Sequence, residues 1–528
     1  MKQPEAATDD AGRPGARSLI VGWLLAFVAY RALVLFFGFD GVYYWEETYR
    51  LLIAEALVDG WNIPVYDLQA DPYAGGSLVM GLLVTPLVAL GISSLFSLKF
   101  IALLWSAAGL FLWFRLIDAY FGRRAANLFS LCYIAAPPIF VTYNLIAMGS
   151  HAEIVTLSAA QFLLMLRYVR RTARRRDLVA WMVVAGLSIW FTYVSALTLA
   201  VCAAYALAVG ALPLRRWPLA AAALALGVAP WLVYNLQNPG AGLDVLHTAF
   251  APTYGLGRGR AGTLVHLVTA GIPMGLRFDL RLAGYVYYAG FLVAWTAAAL
   301  QLSSRRGQTV QAWALQRPEL PLLALFPLFV IAITMSSHDF NERGLVSFLS
   351  FRILVPAMPA MFFALALSLS RLQRRWLANA AVTAILLWGT AAGLQLAGAG
   401  HEQRPRLEAA ARATGAEAMG HLLVYKHGAD MEHINSRVAA IDDKQLKAAA
   451  YRGVGFSLAY LHRFSVEREP EAIVDDLMAA PPGYRQDVKT GIMTALGSGL
   501  AQVRAVPPSP RTERMAKAIF LDPQQPHQ

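Results

Sequence analysis

Long apolar runs separated by short polar segments fill the chain from residue 18 almost to residue 400. A membrane-spanning helix needs roughly 20 predominantly apolar residues. Twelve runs approach or reach this length, at about 18–38, 75–94, 97–118, 125–143, 153–170, 177–192, 194–213, 218–235, 283–302, 319–336, 345–370 and 376–397. The pattern predicts an all-α, polytopic membrane protein with a transmembrane domain over residues 18–398.

Beyond residue 398 the sequence becomes polar and charged, which predicts a small, mainly helical soluble region over residues 399–505. Residues 1–17, which are polar, and residues 506–528, which are rich in Pro and Gln, are typical of disordered tails. Two stretches of the soluble region, beginning at Tyr451 and Tyr484, share a Tyr-Arg start at an offset of 33 residues. They indicate helical hairpins, although two weak copies do not define a repeat.

Composition supports the membrane class. The 528 residues are 57% hydrophobic and only 15% charged, whereas soluble domains are typically about 25% charged. The net charge of +12 arises mainly from short basic runs between apolar segments, which is the pattern of cytoplasmic loops and does not indicate nucleic-acid binding. Cys132 and Cys202 lie inside apolar runs, so they are interpreted as small core residues with no disulfide.

The basic runs also constrain the topology, because short loops rich in Arg face the cytoplasm. They are Arg123–Arg124, Arg170–Arg176, Arg215–Arg216, Arg305–Arg306 and Arg371–Arg375. If the N-terminus is cytoplasmic, twelve spans place these runs on the outer side of the membrane. Segment 75–94 contains several glycines and a proline, so we interpret it as an interfacial or re-entrant helix.

This leaves about eleven spans, with every basic run inside. The outer face of the membrane then receives residues 39–96, 144–152, 236–282 and 337–344, together with the soluble region.

The stretch YYWEETYRLLIAEALVDGW, residues 43–61, carries apolar side chains at helical spacing and ends at Gly60. It predicts an amphipathic helix of the first outer loop. Glu46 and Glu47 stand at its start, and Asp40 lies shortly before it. Two interpretations stay open: the acids take part in chemistry, or they meet water and gain from the positive end of the helix dipole.

The second outer loop contains His151 and Glu153 where the next span begins. An ionisable residue at this depth is a candidate functional residue. The alternative is structural, because Ser150 and Glu153 have the spacing of a helix capping box. Both interpretations are compatible.

Three arginines are candidate ligands of a phosphate group. Arg258 and Arg260 lie among glycines in the loop 236–282, which later contains Arg277 and Arg281. The other interpretation is a mobile loop. Arg352 lies about two turns inside the run 345–370. An unpaired Arg at such a depth costs roughly 2.5–3.5 kcal/mol, so it either extends to the interface or meets a buried anion beside the kinks at Pro356 and Pro359.

Four stretches carry a resemblance to a known family: EETYRLLIAEALVDGWNIP, DPYAGGSLVMGLLVTPLVALG, IDAYFGRRAANLFSLCYIAAPPIFVTYNLIAMGSHAEIV and FRILVPAMPAMFFALAL. In their order and spacing they resemble the GT-C superfamily of membrane glycosyltransferases. The most similar part is the bacterial branch with protein O-mannosyltransferases and lipid A aminoarabinose transferases. The resemblance covers residues 18–170 well and 218–397 loosely. It implies a GT-C-type helical bundle with periplasmic juxtamembrane helices. It also implies a location in the inner membrane of a bacterium, with the membrane lipids as its surroundings.

The resemblance also implies a function. A sugar would pass from a polyprenyl-phosphate-linked donor to a lipid, glycan or protein acceptor on the periplasmic face, with inversion. Glu47 or Glu46 would be the base, although the family usually has Asp there. Glu153 would bind the acceptor, the sugar or a divalent cation, which is the only cofactor left open. Further substrate- or phosphate-binding residues would be Arg352, Arg258, Arg260, His151 and Tyr73.

Two other classes of protein compete with this interpretation. A transporter or flippase of lipid-linked substrates would require internal symmetry and ionisable residues at mid-membrane, and neither is evident in the sequence. A non-catalytic membrane assembly protein would tolerate the simultaneous loss of Glu47 and Glu153, which a glycosyltransferase would not.

Overall fold

The computed structural model describes residues 14–42, 47–60, 65, 75–170, 174–237, 260–302, 309–335, 352, 354–398, 404–464, 468–502 and 510–520. Throughout these ranges the regular structure is helical, and they contain no strand. The chain divides into two compact units. The first comprises the described residues of Met1–Tyr43, Asp71–Met80 and Lys99–Glu402, and the second those of Tyr44–Ala70, Gly81–Leu98 and Gln403–Gln528.

The apolar part of the chain contains eighteen helices among the described residues. In order they are α1 Pro14–Gly38, α2 Thr48–Val58, α3 Gly75–Ala89, α4 Ser94–Phe121, α5 Arg123–Ile134, α6 Pro138–Tyr143, α7 Ala152–Arg170, α8 Arg175–Phe191, α9 Ser195–Ala208, α10 Trp217–Gly227, α11 Ala229–Gln237, α12 Arg260–His266, α13 Ile272–Gly275, α14 Arg281–Leu300, α15 Val310–Leu315, α16 Glu319–Met335, α17 Met358–Arg371 and α18 Arg375–Ala397. The polar part adds α19 Arg404–His427, α20 Met431–Ala439, α21 Lys444–Phe464, α22 Ile473–Ala479, α23 Arg485–Gln502 and α24 Pro510–Phe520.

The helices confirm the all-α polytopic class. Five described helices are long and apolar enough to span a membrane, or six if α10 and α11, which bend by 68°, form one span. Shorter apolar helices accompany them, among them α3, with only 15 residues and Pro86 in its interior. The total of eleven spans stays a prediction. Cys132 and Cys202 are free and buried, as expected.

The predicted span 125–143 is broken by two prolines between α5 and α6. Pro137 and Pro138 have no N–H, so the carbonyls of Tyr133 and Ile134 lose their helical partners four residues on. The buried Arg31 of α1 replaces both: its Nη1 donates to Ile134 O at 3.0 Å and its Nη2 to Tyr133 O at 3.3 Å. The break can therefore lie inside an apolar unit without leaving these two carbonyls unpaired.

A second close contact joins α3 to the loop before α7. A Cβ on Gly76 would lie 1.7 Å from Gly149 O, and Gly149 itself has a φ of +72°. Only glycine fits both requirements without strain. The contact fixes the loop from which α7 begins.

In the second unit, α2 is buried on its polar side as well. Glu55 accepts hydrogen bonds from Ser94 Oγ and from Arg412 Nε of α19, each at 2.8 Å. Arg50 and Glu55 are buried. The interpretation in which the charges of this helix meet water is therefore wrong for these residues, because α19 packs against α2. The predicted domain boundaries instead assigned this loop to the transmembrane domain.

Glycines let α19, α21 and α23 approach one another closely. A Cβ on Gly420 would lie 1.9 Å from Ala450 O, and one on Gly455 would lie 1.9 Å from Val488 O. Tyr451 stacks on Tyr484 with the ring centroids 4.9 Å apart. The two Tyr-Arg stretches of the sequence are thus neighbours in space.

Part of the tail that the sequence predicts to be disordered is helical. In α24, Met515 and Ile519 are buried one turn apart, and α24 contacts the turn Pro470–Ala472. The prediction for residues 506–528 is wrong over this helix, because its apolar stripe outweighs the Pro- and Gln-rich composition of the segment. The predicted N-terminal tail lies outside the described residues up to residue 13.

The glycine contacts give a testable consequence. Gly455→Ala should destabilise the second unit by about 1–3 kcal/mol, because the new methyl group overpacks a backbone contact. Gly483→Ala is the matched control, since nothing lies within 4 Å of its Cβ position. Hydrogen exchange of the α21 and α23 amides in the full chain measures the effect, and equal protection in both variants would contradict it.

Candidate functional site

Polar side chains gather in the first unit where α7 begins. Glu153 is only 1% exposed and His151 only 7%. The ring of Tyr143, at the end of α6, meets the His151 ring edge-on with the centroids 5.8 Å apart. Burying such groups is costly unless the surroundings compensate for it, so the cluster is the strongest candidate site in the described part of the first unit.

Helix α4 fixes the first turn of α7. Trp105 Nε1 donates to Glu153 O at 3.1 Å, and Thr156 Oγ1 donates to Trp105 O at 3.0 Å. About two turns further along α4, Trp113 Nε1 donates to Val155 O at 2.9 Å. These bonds hold the backbone that carries Glu153 in one position.

Helix α7 begins at Ala152, and Glu153 lies in its first turn. The capping box of Ser150 and Glu153 stays a prediction.

Hydrogen bonds from Ser106 of α4 hold the loop between α6 and α7. Ser106 Oγ donates to Asn144 O at 3.0 Å and lies 3.2 Å from Asn144 Oδ1. Tyr133 Oη in turn donates to Ser106 O at 3.0 Å. A chain of buried hydrogen bonds therefore runs from the proline break to the loop that presents His151.

Arg277 brings a positive charge to the same region. The sequence shows it as a later arginine of the loop 236–282 but does not single it out as a site residue. Burial lowers the pKa of its guanidinium, and the neighbouring Tyr143 and Asp279 act in the opposite direction. Its backbone has a φ of +62°, the one positive φ at a non-glycine residue in the described ranges. Such a conformation costs about 1–3 kcal/mol and is typical of functional sites.

The end of α18 holds the backbone around Arg277. Gln395 Nε2 donates to Arg277 O at 2.7 Å, and Gln395 Oε1 accepts from Asp279 N at 3.0 Å. Sequence offers no signal for this arrangement, because the bonds connect residues more than 100 positions apart.

The other predicted arginines have different settings. Arg352 is half-buried, and the turn Val355–Ala357 that follows it packs on both α6 and α7. Arg260 is exposed at the first residue of α12, and its Nη1 lies 3.3 Å from Met335 Sδ. Arg258 lies outside the described residues.

Among the acids of the first loop, Glu47 belongs to the second unit. It occupies the N-cap position of α2, makes no side-chain capping bond and is fully buried. The interpretation of Glu47 as a water-exposed cap is therefore wrong. Glu46 and Tyr73 lie outside the described residues, and Asp40 lies in the turn Phe39–Val42.

The divalent cation stays a prediction. In the part of the chain that the structure describes, no group of three or more His, Cys, Asp or Glu residues could hold a metal ion. One carboxylate such as Glu153 supplies too few ligands for Ca²⁺, and Mg²⁺ is usually held by one or two carboxylates together with substrate phosphates.

No family model matches the chain, and no curated protein matches it. Among solved structures, ArnT from Cupriavidus metallidurans bound to undecaprenyl phosphate is similar at 18% identity, with a TM-score of 0.47. This match covers 90% of this chain and 76% of that chain. The apo state of the same protein is similar at 16% identity and a TM-score of 0.45, over 95% of this chain and 78% of that chain.

The strained backbone at Arg277 gives a second testable consequence. Arg277→Gly and Arg277→Ala both remove the guanidinium, but only glycine adopts a φ of +62° without penalty. The Gly variant should therefore be more stable than the Ala variant by about 1 kcal/mol. Thermal unfolding of the two proteins in detergent measures the difference; equal stability, or a more stable Ala variant, would show that the backbone is not strained.

Proposed function

We propose that the chain is an inner-membrane glycosyltransferase that moves a sugar from a polyprenyl-phosphate-linked donor to an acceptor hydroxyl on the periplasmic face. The observation that carries the proposal is the buried cluster of Tyr143, His151 and Glu153 beside Arg277, built at helix breaks inside an apolar unit. The class of reaction comes from the resemblance of the four stretches quoted above, which covers residues 18–170 well and 218–397 loosely, to the GT-C superfamily.

The leaving group of this reaction is a lipid phosphate, which is a stable anion. It needs electrostatic stabilisation more than protonation. Arg277 supplies a positive charge at the buried cluster. Arg352 precedes the turn Val355–Ala357, which packs on α6 and α7, the two helices that carry the cluster. Guanidinium groups bind phosphate oxygens in a bidentate manner, so these two arginines are the proposed phosphate ligands.

The acceptor oxygen attacks the anomeric carbon while the bond from that carbon to the phosphate oxygen breaks. The electron pair of the broken bond stays on the phosphate, and the acceptor proton passes to a carboxylate base. A single displacement of this kind inverts the anomeric centre. We assign the base to Glu47 or Glu46, because the acid positions of this loop carry the family resemblance.

Glu153 and His151 are proposed to bind the sugar or the acceptor. Hydroxyl groups donate to a carboxylate, and the neutral imidazole offers one donor and one acceptor. The fixed first turn of α7 suits this role, since a binding group must hold its partner within a few tenths of an ångström of the productive geometry.

Separate substitution of the two first-loop acids by glutamine tests the proposal. Glu46→Gln and Glu47→Gln keep the size of each side chain and remove its basicity, so one of them should slow transfer by about 10²–10⁴-fold. The assay follows release of undecaprenyl phosphate when the purified full chain meets undecaprenyl-phosphate-linked hexoses and pentoses, with an envelope extract as the acceptor source.

Glu432→Gln is the matched control, because Glu432 is an exposed glutamate of α20 in the same unit. Its rate should equal that of the unaltered protein. Full activity in both Glu46→Gln and Glu47→Gln would overturn the assignment of the base, and no release from any donor would overturn the reaction class.

A further inference from the structure

A polar cavity lies in the first unit, where the predicted cytoplasmic loops meet. Its volume is about 610 Å³, and it is lined where α4, α7 and α17 end and where α5 and α16 begin. Among the described residues, Glu319 is the one acidic residue that lines the cavity. Five arginines also line it: Arg123, Arg124, Arg170, Arg317 and Arg371. Three of the basic runs that the sequence places on one side thus converge at this cavity.

The carboxylates near the cavity do not balance its arginines. Asp118 Oδ1 and Oδ2 accept from Arg123 at 2.7 and 2.9 Å. Glu319, which is buried, lies 3.5 Å from Arg371 and 3.8 Å from Arg317. Among the described residues, two carboxylates therefore face five guanidinium groups, which leaves an excess of three positive charges.

The remaining arginines are exposed enough to meet a ligand. Arg124 is exposed, and its Nη2 donates to Leu372 O at 3.4 Å. Arg170 is exposed as well and lies over the Tyr120 ring at 5.6 Å from its centroid. The side chain of Arg371 is 37% exposed although it also contacts Glu319.

The backbone adds to the positive field. Helix α5, with 12 residues, begins at Arg123 after Gly122, and both residues line the cavity. The first N–H groups of a helix have no helical acceptor and carry the positive end of its dipole, so they favour an anion. The arginines and the helix start therefore act in the same direction.

We propose that this cavity binds the phosphate of an anionic phospholipid headgroup. Basic cavities between membrane helices on the cytoplasmic side are suited to such headgroups. Phe121 and Leu367 also line the cavity and give the glycerol end of a lipid an apolar contact that a free phosphate does not need. The site is separate from the residues of the proposed reaction and does not depend on that function.

The test is native mass spectrometry of the delipidated full chain in detergent, titrated with phosphatidylglycerol, with zwitterionic phosphatidylcholine and with inorganic phosphate. Phosphatidylglycerol should bind in preference to the other two. Arg124→Gln and Arg371→Gln should each weaken its binding roughly fivefold. Arg215→Gln is the matched control, because Arg215 is an exposed arginine of another predicted cytoplasmic run and does not line the cavity.

Glu319→Gln distinguishes specific binding of the lipid at this cavity from an effect of misfolding. It removes the buried acid that competes for Arg317 and Arg371, so phosphatidylglycerol should bind several-fold more tightly, which a misfolded protein cannot do. Equal binding of phosphatidylcholine, or equal losses in Arg124→Gln and Arg215→Gln, would overturn the proposal. If inorganic phosphate displaced the lipid at equal concentration, the cavity would bind free phosphate and the proposal of a lipid headgroup would be overturned.

Discussion

The hydrogen bonds of Arg31 to the carbonyls of Tyr133 and Ile134 are the constraint on which the rest of the first unit depends. Inside an apolar environment each unpaired carbonyl costs several kcal/mol. Two consecutive prolines would therefore be costly in the middle of this unit without a replacement donor. Because one buried guanidinium binds both carbonyls, α5 can end at Ile134 without leaving them unpaired. The chain can then change direction and continue as α6 and the loop that follows it.

The polar cluster follows from that break and from two further departures from regular helix. Gly149, with its positive φ, lets the loop touch α3, and Arg277 adopts a left-handed backbone beside Tyr143. Each departure is held by contacts from elsewhere in the unit, such as those from Ser106 and Gln395. Irregular backbone inside a membrane protein is tolerated where protein buries it, and here it presents ionisable groups in an otherwise apolar unit.

The sequence predicts the helices of this fold well, because apolar runs of this length have few alternatives, and it also points to His151 and Glu153 through their place at the start of a span. It does not reveal the partners. Arg31 lies in the first apolar run with no acidic residue near it in the sequence, and Arg277 is one of several arginines in a loop. Glu55 forms a hydrogen bond with Arg412, which lies more than 350 residues further along the chain. Such pairs depend on tertiary contacts, which local pattern and spacing do not encode.

We propose that the cluster around Glu153 and Arg277 receives the lipid phosphate of a sugar donor. An experimental structure of the full chain in lipid nanodiscs with undecaprenyl phosphate tests this proposal. The phosphate should lie within hydrogen-bonding distance, roughly 3 Å, of Arg277 or Arg352. A phosphate bound elsewhere, with neither arginine in contact, would overturn the proposal.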